Sequence, residues 1–560
     1  MGSTTKWKRT SVILAVLSAL TRSGGVLAQS PTVTLGQNTT VVGIRDSFGL
    51  EEFLGIPYAQ PPLGNLRYAA PSPVLLNASS VVNATAYGPV CVQDPTYFDV
   101  SQMSEDCLSI NVIRPPGLNS TAQLPVMVWI FGGSFIEGGS PLYPAGGLVA
   151  RSILLNMPVI YVSFNYRLNS FGFLASSELA DAAQNGTAAL NAGLYDIQAA
   201  LLWVQQNIAS FGGDPEKVCP ITRAFGESAG AISIGSLLVA GGGQAVQKLG
   251  LFRAAIMESG APSGHPVPPP EYLNPRYELF ATAAGCGSGL ANSSALACLR
   301  SASTAVLYNA TIYALTQRIT PGPSLSLPFA RVVDGYFHNT QASQQVRSEA
   351  VATVPLLMGN NLDEGTIFAS TAVTNASELP LVIERKADPP TVKVCDLLEL
   401  YPDDPSLGSP YAPINVSLSY RFFPPLTTNQ FKRFAAMLGD SIFQAGRRLL
   451  LDAYIAKNQS YPAWNYLFVQ NTPGANPAKG VYHASEIPFV YGGYAFNNAT
   501  TIEGQTSLFM LDAWITFANT MSPNGPNRTC SFIDYQEKVD CSHIPDNLTP
   551  LSSPYMAYIW

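Results

Sequence analysis

Charge is scarce in this chain. Of its 560 residues, 30 are Lys or Arg and 37 are Asp or Glu, so charged residues make up 12%, about half the share usual in globular proteins. The net charge of −7 gives no basic footprint, which argues against a nucleic-acid partner, and no acidic run forms a charged tail. Histidine is rarer still: only His265, His338, His483 and His543 are available for acid–base chemistry. No two cysteines have the CxxC spacing of a zinc site, and no motif calls for a metal or another cofactor. After residue 28 no apolar run is long enough to cross a bilayer, so no transmembrane anchor is expected. Internal repeats, low-complexity tracts and dividing linkers are also missing, so residues 29–560 read as one domain.

What is abundant is apolar surface. Hydrophobic residues account for 47% of the chain, ample for a large core. At the N-terminus Lys6, Lys8 and Arg9 precede the apolar run from Val12 to Leu20, and small residues around Gly25 and Ala28 follow. That order predicts a cleaved signal peptide over residues 1–28 and an extracellular, secreted protein. Asn-x-Ser/Thr sequons recur along the chain, among them Asn83, Asn119, Asn309 and Asn498, and predict N-glycans. In that oxidising compartment the eight cysteines are disulfide candidates. Proximity favours Cys91 with Cys107 and Cys286 with Cys298; Cys530 with Cys541 is a weaker local pairing, and Cys219 and Cys395 have no assigned partner.

The apolar pattern alternates between two periods. Val126–Phe131 and Pro158–Phe164 are continuous apolar runs of the kind buried on both faces of a parallel sheet. Between and after them lie helical patterns, such as Ile197, Leu201, Val204 and Ile208 on one face. Further strands are expected at Ala254–Met257, Val354–Met358 and Trp464–Val469, and a late helix carries Leu508, Leu511, Ile515 and Ala518. Repeated βα units imply an α/β fold with a mostly parallel sheet, with ligands at the carboxyl ends of its strands. Residues 265–350 and 371–460 read as helical and loop insertions over that sheet.

Gly226-Glu227-Ser228-Ala229-Gly230 has the spacing of a nucleophile elbow, in which a sharp strand-to-helix turn presents the serine and glycines let other backbone pass close by. A serine nucleophile needs a base and a third group to orient that base. His483 lies in the loop after the Trp464 strand, whereas His265 sits beside prolines, His543 in the terminal cysteine loop and His338 ahead of no suitable loop. The acid should fall between serine and histidine in the chain; Glu364 fits, and its neighbour Asp363 fits by spacing equally well. Gly132-Gly133-Ser134 after a buried strand, together with Ala229, can supply amides for an oxyanion hole. One local conflict stands out: Cys219, Pro220 and Arg223 occupy the stretch where the strand leading to Ser228 should run, and neither proline nor arginine suits a central strand.

These motifs, with Phe53–Ala59, Glu105–Val112, Asn191–Asp196, Phe211–Pro215 and Asp363–Thr366, make the chain resemble the type B carboxylesterase and lipase family over nearly the whole mature length. The resemblance implies an α/β-hydrolase fold with large helical insertions. It implies Ser228 as nucleophile, Glu364 as acid and His483 as base. It also implies Gly133, Ser134 and Ala229 amides in the oxyanion hole supported by Gly132 and Glu227, a Ser259 hydrogen bond to the triad acid, and Cys91–Cys107 and Cys286–Cys298 disulfides.

Three departures from the family pattern bear on function. Gly132-Gly133-Ser134 replaces three glycines, about four extra residues precede the elbow, and the Cys91–Cys107 segment is shorter than the lid of the fungal lipases. The expected partner is a small-molecule or lipid-like ester substrate, and the short segment favours an esterase acting on more soluble substrates over a long-chain triglyceride lipase, with an interfacially activated lipase or a catalytically silent binding homologue as alternatives.

Overall fold

The computed structural model describes residues 29–560 apart from 75–78, 215–221, 288–293, 318–328, 349, 371–372, 374, 381–393, 404–428, 458–461, 477–478, 525–556 and 560. The signal segment, Cys219, Pro220, Cys530 and Cys541 therefore lie outside the described residues, as does the side chain of Cys395.

The apolar runs pair into a ten-stranded sheet. In chain order its strands are β1 (Ile44–Arg45), β2 (Glu51–Pro57), β3 (Ser109–Arg114), β4 (Val126–Ile130), β5 (Ile160–Phe164), β6 (Thr222–Glu227), β7 (Ala254–Glu258), β8 (Leu356–Asn361), β9 (Ala463–Phe468) and β10 (Ala557–Ile559). Across the sheet they run β10, β9, β8, β7, β6, β4, β5, β3, β2, β1. From β5 to β10 every neighbouring pair is parallel, and only β3, β2 and β1 pair antiparallel at one edge. The chain lays β5 on one side of β4 and then returns to lay β6 on the other, so the strand order switches at β4, where α/β sheets open a crevice at their carboxyl ends.

Why these residues form the centre is visible in their burial. All five residues of β4 and all six of β6 are buried, as the unbroken apolar run in β4 requires. Trp129 of β4 is fully buried and packs against Phe225, Tyr143 and Tyr491 at ring separations of 4.8–5.5 Å. Helix α1 (Gly146–Leu154) follows β4, α2 (Ala192–Asn207) leads to β6, α3 (Ala229–Gly243) leaves β6, and α4 (Ile502–Thr520) closes the series. Ile197, Leu201 and Val204 of α2 are buried on the sheet, as their spacing predicts. Two acidic residues of the recognised motifs are buried in two-pronged ion pairs: Asp196 with Arg167 and Glu105 with Arg67, each at 2.7–2.8 Å.

The expected disruption before Ser228 does not reach the strand. From Thr222 onward β6 is regular, with Arg223 paired beside Met127 and Ala254. Arg223 stands near the amino end of β6, away from the site; burial, then the neighbouring Arg253, pushes its guanidinium down to about 9, and Asp214 opposes that loss. Both disulfides favoured by proximity are present, Cys91–Cys107 and Cys286–Cys298. The first insertion contributes helices Asn274–Ala283, Ala295–Ser301, Thr304–Thr316 and Ala342–Arg347. The second includes Asn429–Gly439 and Ala445–Lys457, joined by a π-helical turn at Asp440–Gln444 that reaches the site.

Candidate active site

β6 ends at Glu227 and α3 begins at Ala229, which leaves Ser228 alone in the turn, with φ 54° and ψ −121°. That conformation is one L side chains avoid, and it persists because the surroundings hold both sides: Ser228 N donates to Glu258 O, and Ile232 N donates to Ser228 O. The two glycines of the pentapeptide are required by close approach. A Cβ on Gly226 would lie 2.5 Å from Ile130 O, and one on Gly230 would lie 1.9 Å from the same oxygen. Gly132 packs against Ser228 itself, since a Cβ there would come within 2.9 Å of Ser228 Cβ.

Glu364 follows β8 by three residues. Its Oε1 accepts from the Asn361 amide (2.7 Å) and Asn360 Nδ2 (3.1 Å), which leaves Oε2 to face His483 Nδ1 at 2.6 Å. The neighbouring Asp363 does something else. Its amide donates to Val481 O and its Oδ2 accepts from Val481 N, so it braces the backbone of the loop that carries His483. Spacing left these two acids equivalent; contact separates them. The imidazole is 5% exposed and lies between Phe443, 4.5 Å away on the π-helical turn, and Phe368, 5.2 Å away.

His483 Nε2 faces Glu227 Oε1 at 3.0 Å, and among the described residues no hydrogen bond joins it to Ser228 Oγ. Serine, histidine and Glu364 are thus gathered at adjacent strand ends, with the base turned toward the residue before the nucleophile. Ser259 departs from the expectation. It is fully buried with φ 52°, but its Oγ makes no hydrogen bond to Glu364, whose Oε1 is already held by Asn360 and Asn361. In the loop after β4, Gly133 and Ser134 have φ values of 108° and 56°, and Ala229 opens α3 at its electropositive end.

Sequence reasoning missed the carboxylates behind Glu364 and His483. Glu258 at the end of β7 accepts from Trp514 Nε1 (2.8 Å), and Glu486, one turn after His483, is held by Asn361 Nδ2. With Glu227 and Glu364 they form a buried acidic cluster, all 3% exposed or less. Burial, then the charges of Glu486, Glu364 and Glu258, pushes Glu227 well above the usual carboxyl range; burial and Glu486 do the same to Glu258. Glu486 is pushed up to about 7, first by burial and then by Glu364. The only signal available was position: Glu258 precedes Ser259, and Glu486 follows His483 by three. Among the described residues no group of His, Cys, Asp and Glu is arranged to hold a metal ion.

This constellation can be compared with known proteins. The model of the family described as "Carboxylesterase family" matches residues 29–549. The chain belongs to the carboxylesterase family. It is 37% identical over 529 residues to "Lipase 4" of Diutina rugosa, covering 89% of this chain and 88% of that one. It is 33% identical over 529 residues to "Secreted lipase 1" of Botryotinia fuckeliana (strain B05.10), covering 89% and 86%. Among solved structures, Aspergillus niger EstA superposes with a TM-score of 0.74 at 27% identity, covering 90% of this chain and 91% of that one. The resemblance read from the motifs therefore holds, as does the α/β-hydrolase architecture, and the protein is a serine carboxylic ester hydrolase.

Proposed function

We propose that the protein is a secreted, N-glycosylated esterase in which Ser228, His483 and Glu364 hydrolyse carboxylic esters through an acyl-enzyme. Residues 1–28 are its cleaved signal and residues 29–560 its one catalytic domain. Ser228 Oγ attacks the ester carbonyl carbon while His483 Nε2 takes its proton, and the Gly133, Ser134 and Ala229 amides receive the negative oxygen. The imidazolium returns that proton to the departing alcohol, and water, activated by the same nitrogen, releases the acid.

The observation that carries this reading is the 2.6 Å contact between Glu364 Oε2 and His483 Nδ1, formed beside a serine in the strained elbow conformation. Secretion is supported by the N-terminal segment and by a relative that bears the word in its name. Preference for soluble esters over lipid droplets is supported by the disulfide loop, which closes after a separation of only 16 residues. The names of the relatives favour a second reading, a lipase.

The test is Ser228→Ala in the secreted enzyme. Turnover of a short-chain nitrophenyl ester should fall on the order of 10⁴-fold or more, and labelling by a fluorophosphonate should disappear. Undiminished turnover or labelling refutes the assignment. A panel of acyl lengths, presented dissolved and emulsified, separates the two readings: activity that rises sharply only on emulsified long-chain esters identifies the lipase.

A further inference from the structure

The loop after β4 is held in a conformation its own residues do not favour. Gly133, Ser134 and Phe135 have successive φ values of 108°, 56° and 61°, and Gly138 follows at 119°. Two of the four carry side chains that resist this region. Inside the loop only Gly133 O is engaged, by the amides of Ile136 and Glu137. The remaining fastenings come from outside.

They come chiefly from the disulfide loop. Gln93 is 1% exposed and spends both ends of its amide on one residue: Nε2 donates to Gly138 O at 2.7 Å, and Gly138 N donates to Oε1 at 2.7 Å. The same Nε2 donates to Cys91 O at 3.0 Å. Asn169 makes a second strap: its amide donates to Phe135 O and its Nδ2 to Val92 O, both at 2.7 Å. Residues 91–93 are themselves framed by the Cys91–Cys107 bond and by the pairing of Val90 and Cys91 with Met103 and Ser104.

The path from Gln93 to the reacting serine is short. A Cβ on Gly138 would meet the Phe131 ring at 2.7 Å and Gly132 O at 2.8 Å, so the backbone at Gly138 bears directly on Gly132. Gly132 in turn packs on Ser228. We propose that Gln93 is a positioning residue: it locks the strained oxyanion loop through Gly138, and makes the disulfide loop part of the machinery that holds the transition state rather than a lid. This rests on the assignment of Gly133 and Ser134 amides to the oxyanion hole. Gln93 touches no reacting atom; it acts by keeping two amides aimed while charge develops.

Gln93→Leu and Gln93→Glu test it, each assayed on a short-chain nitrophenyl ester and against a trifluoromethyl ketone, which Ser228 converts to a tetrahedral oxyanion. Because the donors are misaimed rather than removed, Gln93→Leu should lower kcat on the order of 10- to 100-fold with KM nearly unchanged. The ketone should bind more weakly by the same factor. Gln93→Glu keeps the acceptor for Gly138 N but loses the donor to Gly138 O while it is ionised. Its deficit relative to the parent should therefore shrink as the pH is lowered and the buried carboxyl takes up a proton.

A role confined to stability would lower Tm in both variants and leave ketone affinity and the pH profile alone; that result overturns the proposal. If Gln93→Leu does not fold, Gln93→Glu decides, and the absence of recovery toward low pH overturns it. Ser228-dependent turnover in the parent with unaffected Gln93 variants sinks this inference alone, whereas no Ser228-dependent turnover sinks the underlying site as well.

Discussion

Two of the described histidines are buried, and their surroundings could hardly differ more. His338 is 0% exposed and His483 5% exposed, so burial does not distinguish them. Around the His338 ring the partners are neutral or positive, while its backbone amide donates to Asp334 Oδ1. Nδ1 faces Gln345 Oε1 at 3.0 Å, and Nε2 faces Ser236 Oγ at 3.1 Å and Arg331 Nη1 at 3.4 Å. Burial, reinforced by Arg331, pushes that imidazole down to about 3, so it stays neutral with both nitrogens occupied. Around His483 the partners are Glu364 and Glu227, with Glu486 and Glu258 behind them. There several buried polar atoms, including Glu258 Oε2, Glu486 Oε1 and Ser259 Oγ, have no hydrogen-bond partner among the described residues. A satisfied buried histidine stabilises a fold; one set among crowded carboxylates is poised to move a proton.

The contrast breaks most decisively in activity. His483→Ala should lower kcat/KM on the order of 10⁴-fold, with the folded protein retained. His338→Ala, in whatever fraction folds, should turn over at nearly the parent rate per serine titrated with a fluorophosphonate. A large loss per titrated serine in the His338 variant would mean that the two environments are not functionally distinct.

Next in size is the opposite pH dependence of the two regions. Glu486 holds its proton up to about 7, against 4.5 in an unfolded chain. Below 4.5 both states are protonated and the group is neutral toward stability; as pH rises to about 7 the unfolded state ionises first, and the folded state loses stability. That span corresponds to at most ~3 kcal/mol. Glu486→Gln should therefore raise Tm over the parent increasingly from pH 4.5 to 7, with no further change above. A gap that is constant with pH removes the carboxylate cluster from the account.

His338 works in the other direction. Its pKa is about 3 in the folded state, below the ordinary 6.5, so its contribution is complete above 6.5 and is lost as pH falls toward 3. Between pH 6.5 and 4.5 the loss should reach roughly 2 kcal/mol. Comparing the acid side of the unfolding curve with that of His338→Gln measures it; parallel curves would show that the imidazole is protonated in the native state.

How much of this was legible beforehand follows from where each signal resides. The central strands could be read because double-sided burial forces unbroken apolar runs such as Val126–Ile130. Ser228 could be read because Gly226 and Gly230 answer a local steric demand imposed by Ile130 O. Spacing alone could not tell Glu364 from Asp363, and only the family resemblance pointed to Glu364, since what separates them is a contact with His483 at a sequence distance of 119 residues. Arg223 looked impossible in a central strand because sequence does not show which end of a strand a residue occupies. Gln93, Glu258 and Glu486 were silent for the same reason: one polar residue in a loop or at a strand end has no periodicity, and its partners are remote in the chain.

The smallest effect concerns strain, a third way in which the two regions differ. Ser134 stands at φ 56° where the family pattern has glycine, and its hydroxyl makes no hydrogen bond among the described residues. An L residue in that region costs roughly 1–2 kcal/mol, while glycine adds roughly 0.5–1 kcal/mol of unfolded-state entropy to be overcome. The two terms nearly cancel, with a small balance in favour of glycine. Ser134→Gly should therefore leave stability unchanged or raise it by less than about 1 kcal/mol, measured by denaturant unfolding, with kcat altered only a few-fold. Because Gln93 and Asn169 hold the loop from outside, removing the local strain should not release it. A loss of stability well beyond that range would show that the serine side chain anchors the loop, and that the strain at this site is less than its backbone angles imply.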